Sequence, residues 1–363
     1  MWRRFYLWPL LLLDNLAAVV LLGIGRLNPN WKRFIRRRLS RRLLVYKLMP
    51  SALEVLTQGK SVVLITGTNG KTTLTSLLVA AWGSDTYGNT DGRNFPCGLI
   101  DTLLSRASTN VVLEVDELWL PEVLRWIRPQ LLVILGLAED QIRRTPDPLY
   151  VIDRWRSALL HHHVPILAWA EDPFLVSLLA DREVQWIGSS STEHQPPQTL
   201  ACPTCGGVLV RNGWDWSCDC RIAHPGERMG SQAIWQLDER EGRLIPPGAQ
   251  SQSLAVLSAL QGKIHVRSTA VALAAAMILG VPAAEAVQRL LRVDDLPLRN
   301  TVYRLAGREL ELMIGKNATA WQANLDRLSH QDSVMLMMQQ SPATMDISWL
   351  YDLPAEQLSG RRL

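Results

Sequence analysis

An apolar strand-like run leads directly into a loop that contains two glycines, a lysine and several hydroxyl residues. Val62–Ile65 forms the apolar run, and glycines in the loop let backbone N–H groups approach phosphate oxygens. Lys71 has the length to reach terminal phosphates, and the Thr72 hydroxyl can ligate Mg²⁺. A helical pattern follows, which adds its dipole to the site. This order predicts a nucleoside-triphosphate site formed by Gly67, Thr68, Asn69, Gly70, Lys71, Thr72 and Thr73.

The loop departs from the general phosphate-loop pattern at one position. Ile65 stands where the first glycine of that pattern would fall. The alternative interpretation is a tight strand-to-helix turn without a ligand. The Gly-Lys-Thr sequence at the opening of a helix, directly after a strand, favours the phosphate site.

Two polar segments follow the loop along the chain. Acidic residues end the second strand pattern in the run 113–117, and carboxylates at the end of a parallel strand near a phosphate loop suit Mg²⁺. Glu114 is the predicted ligand, and solvated loop charges are the alternative. The segment 89–98 contains Asn89 and Asn94, which we expect to bind phosphate or substrate. A turn rich in Asn, Asp and Gly would explain the same composition.

Four of the five cysteines form two close pairs about a dozen residues apart. Such pairs predict a four-thiolate zinc ribbon, because thiolates hold Zn²⁺ tetrahedrally and staple a loop that lacks its own core. The second pair has a single intervening residue, so His224 is an alternative ligand there. Disulfides and unmetallated thiols are the other interpretations. The predicted ligands are Cys202, Cys205, Cys218 and Cys220.

Strand and helix patterns alternate from about residue 52 to residue 185. Short apolar strand candidates lie at 62–65, 111–115, 131–135 and 164–168, with helical patterns between them. Alternation of this kind predicts an α/β fold with a parallel sheet covered by helices on both faces. Ligands then bind beyond the carboxyl ends of the strands, where the phosphate loop lies. The periodicity fades over residues 188–250 and resumes near residue 254.

The first 50 residues differ from the rest in charge and hydropathy. Residues 5–25 are mostly Leu, Val and Ala around Asp14, and a strongly basic stretch follows, although the whole chain carries a net charge of only +4. About 20 apolar residues span a bilayer, and basic flanks bind anionic headgroups. We expect a membrane span or interfacial anchor here. A helix packed on the body or on a partner, and a signal peptide, are the alternatives.

The form Gly-Thr-Asn-Gly-Lys-Thr-Thr resembles the ATP loop of the Mur ligase superfamily, and within it that of the MurT type. MurT-type proteins are the ATP-using subunits of the enzyme that amidates lipid II glutamate. The resemblance implies the Mur ligase central domain, an inserted four-cysteine ribbon and a short α/β C-terminal domain. It also supports Glu114 as the metal ligand, because a Glu-Val-Asp-Glu run in these proteins contributes its first Glu to the metal site.

The same resemblance implies further site residues. Asp140 matches the Asp of a family Asp-Gln pair, although Gly136 replaces an Asn four places earlier. His265 and Ser268 stand where the family has Asn residues, one of which binds adenine. Asp346 begins a run similar to a C-terminal Asp-x-Ser-Trp-x-x-Asp motif, whose Asp serves the catalytic His of a partner amidotransferase.

Together these features predict an ATP-dependent amide-forming ligase subunit in peptidoglycan synthesis. Its cofactors would be ATP, Mg²⁺ and Zn²⁺, with Lys71, Glu114 and Asp346 as catalytic residues. The expected partners are a GatD-like glutamine amidotransferase, a lipid II-type substrate and the membrane surface, with no nucleic acid, in the cytoplasm. A decayed scaffold without activity and a Mur-like ligase that joins an amino acid without a partner are the alternatives.

The predicted domain organisation has three parts. Residues 1–50 form the anchor-like segment, and residues 51–295 form the ATP-binding domain with the ribbon inserted at about 198–224. Residues 296–363 form the shortened C-terminal domain.

Overall fold

The computed structural model describes residue 46, residues 51–137, 148–189, 201–212, 215–220, 233–249, 252–256, 263–293 and 301–313, and shorter pieces as far as residue 337. In chain order its strands are β1 (Ser61–Thr66), β2 (Thr86–Gly88), β3 (Asn110–Glu114), β4 (Leu131–Ile134), β5 (Ile166–Trp169), β6 (Gln185–Ser189), β7 (Val210–Asn212), β8 (Asp215–Ser217), β9 (Trp235–Asp238), β10 (Arg243–Ile245), β11 (Leu254–Ala255), β12 (Thr301–Leu305) and β13 (Arg308–Leu312).

Among the described residues, one helix precedes each of the first six strands, and the other three helices lie after residue 262. They are α1 (Ala52–Thr57), α2 (Lys71–Trp82), α3 (Pro96–Ser105), α4 (Leu120–Trp126), α5 (Pro148–Leu159), α6 (Pro173–Leu178), α7 (Lys263–Ile278), α8 (Ala283–Leu290) and α9 (Ala318–Leu325).

A nine-stranded sheet forms the centre of the molecule, in the order β11-β10-β9-β6-β5-β4-β1-β3-β2. The pairs from β2 to β9 are parallel, and β10 is antiparallel to β9 and β11. Leu64 in β1 pairs with Leu113 in β3 and Leu132 in β4, and all three are fully buried. A central parallel strand is covered on both faces, which explains why the four inner positions of β1 are all apolar.

Two hydrophobic layers cover the sheet. One contains residues of α1, α3, α4, α5 and α6, and the other contains residues of α2, α7 and α8. The Ala-rich segment of α7 packs closely against α2, since Ala270, Ala274 and their neighbours are completely buried. The expected α/β architecture with helices on both faces is confirmed.

Two regions differ from the sequence-based expectation. The stretch 188–250, where periodicity fades, nevertheless contributes β9 and β10, which extend the sheet beyond β6. These strands are only four and three residues long, too short for a clear alternating pattern. The Ala-rich pattern predicts a helix over 269–279, but helix α7 begins at Lys263, so His265 and Ser268 lie within the helix and not ahead of it.

In the part of the chain that the structure describes, no helix combines the length and the apolar character needed to cross a bilayer. The predicted anchor segment lies almost wholly outside the described residues, as does Asp346. The hairpin β12–β13 and helix α9 are the described elements of the predicted C-terminal domain. The division of the chain into three domains stays a prediction.

Candidate functional site

The loop between β1 and α2 is shaped by two glycines with positive φ. Gly67 has φ +127°, and a Cβ on it would lie 2.6 Å from the carbonyl oxygen of Leu135. Gly70 has φ +81° at the N-cap of α2, where a residue other than glycine is strained. The Thr68 N–H donates to the Gly136 carbonyl at 3.1 Å. The loop therefore lies directly against the end of β4 and turns its backbone into the N-terminus of α2.

Lys71 is buried at the first position of α2 and is held by three acceptors. Its ammonium contacts the carbonyls of Gly67 and Thr68, the latter at 3.2 Å, and the Glu117 Oε2 at 2.9 Å. The Lys71 and Glu117 side chains are each only 4% exposed. A buried cation at the opening of a helix is suited to bind anionic phosphates.

Glu114 ends β3 next to this loop, and its neighbours fix it through both backbone and side chain. Asn89 Oδ1 accepts from the Glu114 N–H at 2.7 Å, and Asn89 Nδ2 donates to the Glu114 carbonyl at 2.8 Å. Asn94 Nδ2 donates to Glu114 Oε1 at 2.9 Å. Oε2 of Glu114 is buried and has no hydrogen-bond partner among the described residues. A carboxylate oxygen held in this way is a suitable ligand for a divalent cation.

The segment 89–94 also approaches the phosphate loop. A Cβ on Gly92 would lie 3.5 Å from the Thr72 hydroxyl oxygen, so the hydroxyl lies beside this turn. The side-chain amide of Asn89 is already engaged with the backbone of Glu114 and Arg93. Asn89 therefore positions β3 against the turn, and Asn94 positions the carboxylate of Glu114.

Asp172 connects the next strand to the same edge of the sheet. Its Oδ2 accepts from the Leu137 N–H at 2.6 Å, while its Oδ1 caps α6 by accepting from the Phe174 and Leu175 N–H groups. Burial raises the pKa of Asp172 to about 6, against the opposing effect of these three N–H donors. The carboxylate ties β5 to the end of β4, directly beyond the residue that contacts Thr68.

The four cysteines of the two pairs meet at one point. All four sulfur atoms lie within 4.8 Å of one another, with Cys202 and Cys220 3.6 Å apart and Cys205 and Cys218 3.4 Å apart. A tetrahedron with Zn–S bonds of about 2.3 Å has S···S edges of about 3.8 Å. The donor set and its spacing thus fit a zinc ion. Backbone N–H groups of Thr204 and Gly207 donate to two of the sulfurs, which stabilises thiolates.

The cysteine module packs onto the main domain through Trp216. This side chain is 1% exposed, and its Nε1 donates to the Ala170 carbonyl at 3.3 Å. Cys202, Cys218 and Ile222 belong to the same hydrophobic layer as α5 and α6. The module is therefore continuous with the core next to the end of β5.

The chain is similar to some known proteins in sequence and to others in fold. No protein-family model matches the chain. The MurT subunit of lipid II isoglutaminyl synthase (glutamine-hydrolyzing) from Streptococcus pneumoniae is 23% identical over 336 residues, 85% of this chain and 73% of that protein. MurT from Staphylococcus aureus strain COL is 26% identical over 164 residues, 42% of this chain and 38% of that protein.

Solved structures of Mur-type ligases share the fold. A pseudomurein peptide ligase type C from Methanothermus fervidus superposes with a TM-score of 0.57 at 18% identity, over 76% of this chain and 57% of that one. MurF from Acinetobacter baumannii superposes with a TM-score of 0.53 at 15% identity, over 79% and 58%. The chain is similar to MurT in sequence and to Mur-type ligases in fold. It spans less than two thirds of the length of these solved ligases.

In the MurT-like chain, most predicted nucleotide and metal residues lie at the carboxyl edge of the sheet. The loop 67–73, Glu114, Asn89 and Asn94 are brought together there. His265 is 4% exposed in the first turn of α7, the helix that packs beside α2. Two residues later, Arg267 donates to Glu239 Oε1 at 2.7 Å. Asp140 and Asp346 lie outside the described residues.

Two residues at this edge were not among the predicted site residues. Glu117 contacts Lys71, and Asp172 contacts Leu137. Glu117 belongs to the acidic run 113–117, but its position in that run does not indicate that it pairs with the lysine. The dipeptide Asp172-Pro173 resembles a short signature of the same family, but this dipeptide also begins ordinary turns. Both contacts join segments that are distant in sequence, so no local pattern signals them.

Proposed function

We propose that this MurT-like chain is the ATP-using subunit of an amide-forming ligase in peptidoglycan synthesis. It would activate a carboxylate, the glutamate of lipid II, as an acyl phosphate that ammonia then converts to an amide. The proposal rests chiefly on the buried Oε2 of Glu114, which has no partner in the described part of the chain and lies beside a phosphate loop with Lys71 and Thr72. The names of the MurT relatives support it.

The residues of the site would divide the work as follows. The backbone of Gly67–Gly70 and the Lys71 ammonium would bind the β- and γ-phosphates of ATP. Thr72 and Glu114 would hold Mg²⁺, which neutralises charge on the transferring phosphoryl group when bound. Asn94 would keep the Glu114 carboxylate aimed at this position. His265, on the neighbouring helix, is the proposed residue for the adenine side.

Ammonia would come from a separate glutamine amidotransferase of the GatD type. The relatives are named as subunits of a glutamine-hydrolysing enzyme, which supports a partner for this chain. Asp346 is the proposed contact to the catalytic His of that partner. The cysteine module would hold Zn²⁺ as a structural ion.

An enzyme that consumes ATP would act in the cytoplasm, and the proposed attachment to the membrane surface rests on the composition of residues 5–42 alone. This attachment would bring the site close to a lipid-linked substrate. Sedimentation of the full-length chain with vesicles of anionic lipid tests it, and recovery of the chain in the supernatant at low salt would contradict it.

The activity is tested with the full chain, ATP and lipid II, with and without a co-purified amidotransferase and glutamine. We expect ATP hydrolysis coupled to amidated lipid II, detected by mass spectrometry. Lys71→Ala should lower turnover at least about 100-fold, since it removes a cation from the developing charge. Arg125→Ala, an exposed site on α4, is the control. Undiminished turnover by the Lys71 variant would overturn the mechanism.

One observation favours a second candidate, a scaffold without ligase activity. His265 and Ser268 replace the amides that the resemblance places at the adenine side, and both are buried within α7. A scaffold would bind an amidotransferase but would neither bind nor hydrolyse ATP. A partner-independent amino-acid ligase would instead hydrolyse ATP when free amino acid is supplied. The same assay therefore separates the three functions.

A further inference from the structure

The ion pair between Lys71 and Glu117 leaves the lysine no spare proton. An ammonium group carries three donors. In this structure they are directed to the Gly67 carbonyl, the Thr68 carbonyl and the Glu117 carboxylate. A phosphate oxygen can therefore be bound by Lys71 only if one of these three acceptors is released.

Glu117 is the acceptor that differs from the other two. The carbonyls of Gly67 and Thr68 belong to the phosphate loop itself, within four residues of Lys71. Glu117 lies 46 residues away, in the turn after β3. Its backbone carbonyl accepts from the Trp155 Nε1 at 2.8 Å, and Trp155 is fully buried. The Glu117 side chain can thus release Lys71 without any movement of the loop.

The negative charge of Glu117 affects how Lys71 can bind a phosphate. Glu117 and a terminal phosphate are both anions, so they compete for the same cation. The competition takes place in a buried site where both side chains are 4% exposed, and opposite charges interact more strongly there than in water. A ligand must supply enough negative charge at the Lys71 position to displace a carboxylate.

We propose that Glu117 is a positioning residue, which holds Lys71 until the terminal phosphates of a metal–nucleoside triphosphate displace it. The proposal rests on the proposed function, since it assumes that the loop binds nucleotide. A nucleoside monophosphate places no phosphate at Lys71 and leaves the ion pair intact. Glu117 therefore lowers the affinity of the site for the triphosphate and leaves its affinity for the monophosphate unchanged.

The test compares the wild-type full chain with Glu117→Gln, which keeps the side-chain shape and an acceptor oxygen but removes the charge. Calorimetry measures binding of a non-hydrolysable ATP analogue with Mg²⁺ and, separately, of AMP. We expect the analogue to bind about tenfold more tightly to the variant, and AMP to bind equally to both proteins. Glu122→Gln, a partly exposed glutamate on α4 that pairs with Arg125, is the matched control.

Loss of the buried partner of Lys71 destabilises the fold, so circular dichroism must first show that the variant is folded. If Glu117→Gln is not folded, Glu117→Asp is tested instead. Its shorter side chain weakens the same ion pair, so the gain in affinity for the analogue should be smaller. A folded variant that binds the analogue no more tightly than wild type would overturn the proposal, as would an equal change for AMP. Failure of the wild-type chain to bind the analogue would refute the proposed function itself.

Discussion

Two asparagines, Asn89 and Asn94, fix the position of Glu114, the proposed metal ligand. The amide of Asn89 pairs with both the N–H and the carbonyl of Glu114, as another backbone strand would. Asn94 then holds one carboxylate oxygen and leaves the other buried without a described partner. The orientation of Glu114 is therefore decided by the segment that follows β2.

Replacement of Asn89 by Ala should destabilise the chain by about 1–3 kcal/mol, because the buried Glu114 N–H and carbonyl lose their partners. Urea unfolding measures the change. Asn110→Ala, at the end of β3 opposite Glu114, is the control for the loss of an Asn that does not contact Glu114. Equal and small losses for the two variants would show that the Asn89 amide does not hold the strand.

Glu171 should make stability depend on pH. Burial raises the pKa of its carboxyl from 4.5 to about 7, opposed by the charge of Arg267 and the Ser189 N–H. The folded chain therefore binds this proton more tightly than the unfolded chain, and the stability contributed by the group falls as pH rises from about 4.5 to 7. Oε2 of Glu171 is buried and unpartnered among the described residues, which agrees with this cost of ionisation.

Glu171→Gln should remove that dependence. Between pH 5 and pH 8 the free energy of unfolding of the variant, relative to wild type, should rise by on the order of 3 kcal/mol. Urea unfolding across this range measures it, with the exposed Glu183→Gln as control. A constant difference between variant and wild type at all pH values would contradict the assignment of the raised pKa.

At the scale of elements, the junction of β1 and α2 requires glycine at Gly67 for two reasons, its positive φ angle and the lack of room for a side chain. Gly67 and Gly59 both have positive φ, but only Gly67 lies against another backbone segment. No heavy atom lies within 4 Å of the position that a Cβ on Gly59 would take, whereas the Leu135 backbone blocks one on Gly67. A substitution at Gly59 therefore tests backbone strain alone, whereas one at Gly67 tests backbone strain together with the close approach of the Leu135 backbone.

Gly67→Ala should cost about 3 kcal/mol of stability and weaken binding of an ATP analogue, because the loop must move away from β4. Gly59→Ala should cost only about 1 kcal/mol and leave nucleotide binding unchanged. Unfolding and calorimetric titration measure the two effects. Similar values for both variants would mean that the loop tolerates the displacement from Leu135.

At the scale of the whole molecule, the cysteine module is part of the main core. Trp216 contacts the Ala170 carbonyl, two residues before Asp172, which in turn contacts Leu137. The module therefore supports the end of β5 at the same edge of the sheet as the phosphate loop. Its stability is expected to influence the whole domain and not only a surface loop.

Purified protein should contain close to one zinc ion per chain, and Cys205→Ser should lose it and unfold at a temperature several degrees lower. Metal analysis and thermal unfolding followed by tryptophan fluorescence measure the two effects. Cys97→Ser is the control, because Cys97 lies outside the cluster. Metal-free wild-type protein of unchanged stability would refute a structural zinc site.

Sequence alone determined the features that depend on short spacings. The phosphate loop, the acidic run after β3 and the two cysteine pairs are local patterns, since their chemistry needs residues a few positions apart. The alternation of strands and helices is likewise local, and it was sufficient to predict a parallel sheet with the site at its carboxyl edge. The short β9 and β10 carried too little periodicity to be found.

The tertiary structure decided which of these segments meet. The placement of β1 between β3 and β4 brings Glu117 to Lys71 and Leu135 to Gly67, across 46 and 68 residues of chain. The pairing of β4 with β5 brings Asp172 to Leu137. Strand order results from how helices and strands bury one another, a property of the whole chain. Contacts that depend on strand order therefore carry no signal in any short stretch of sequence.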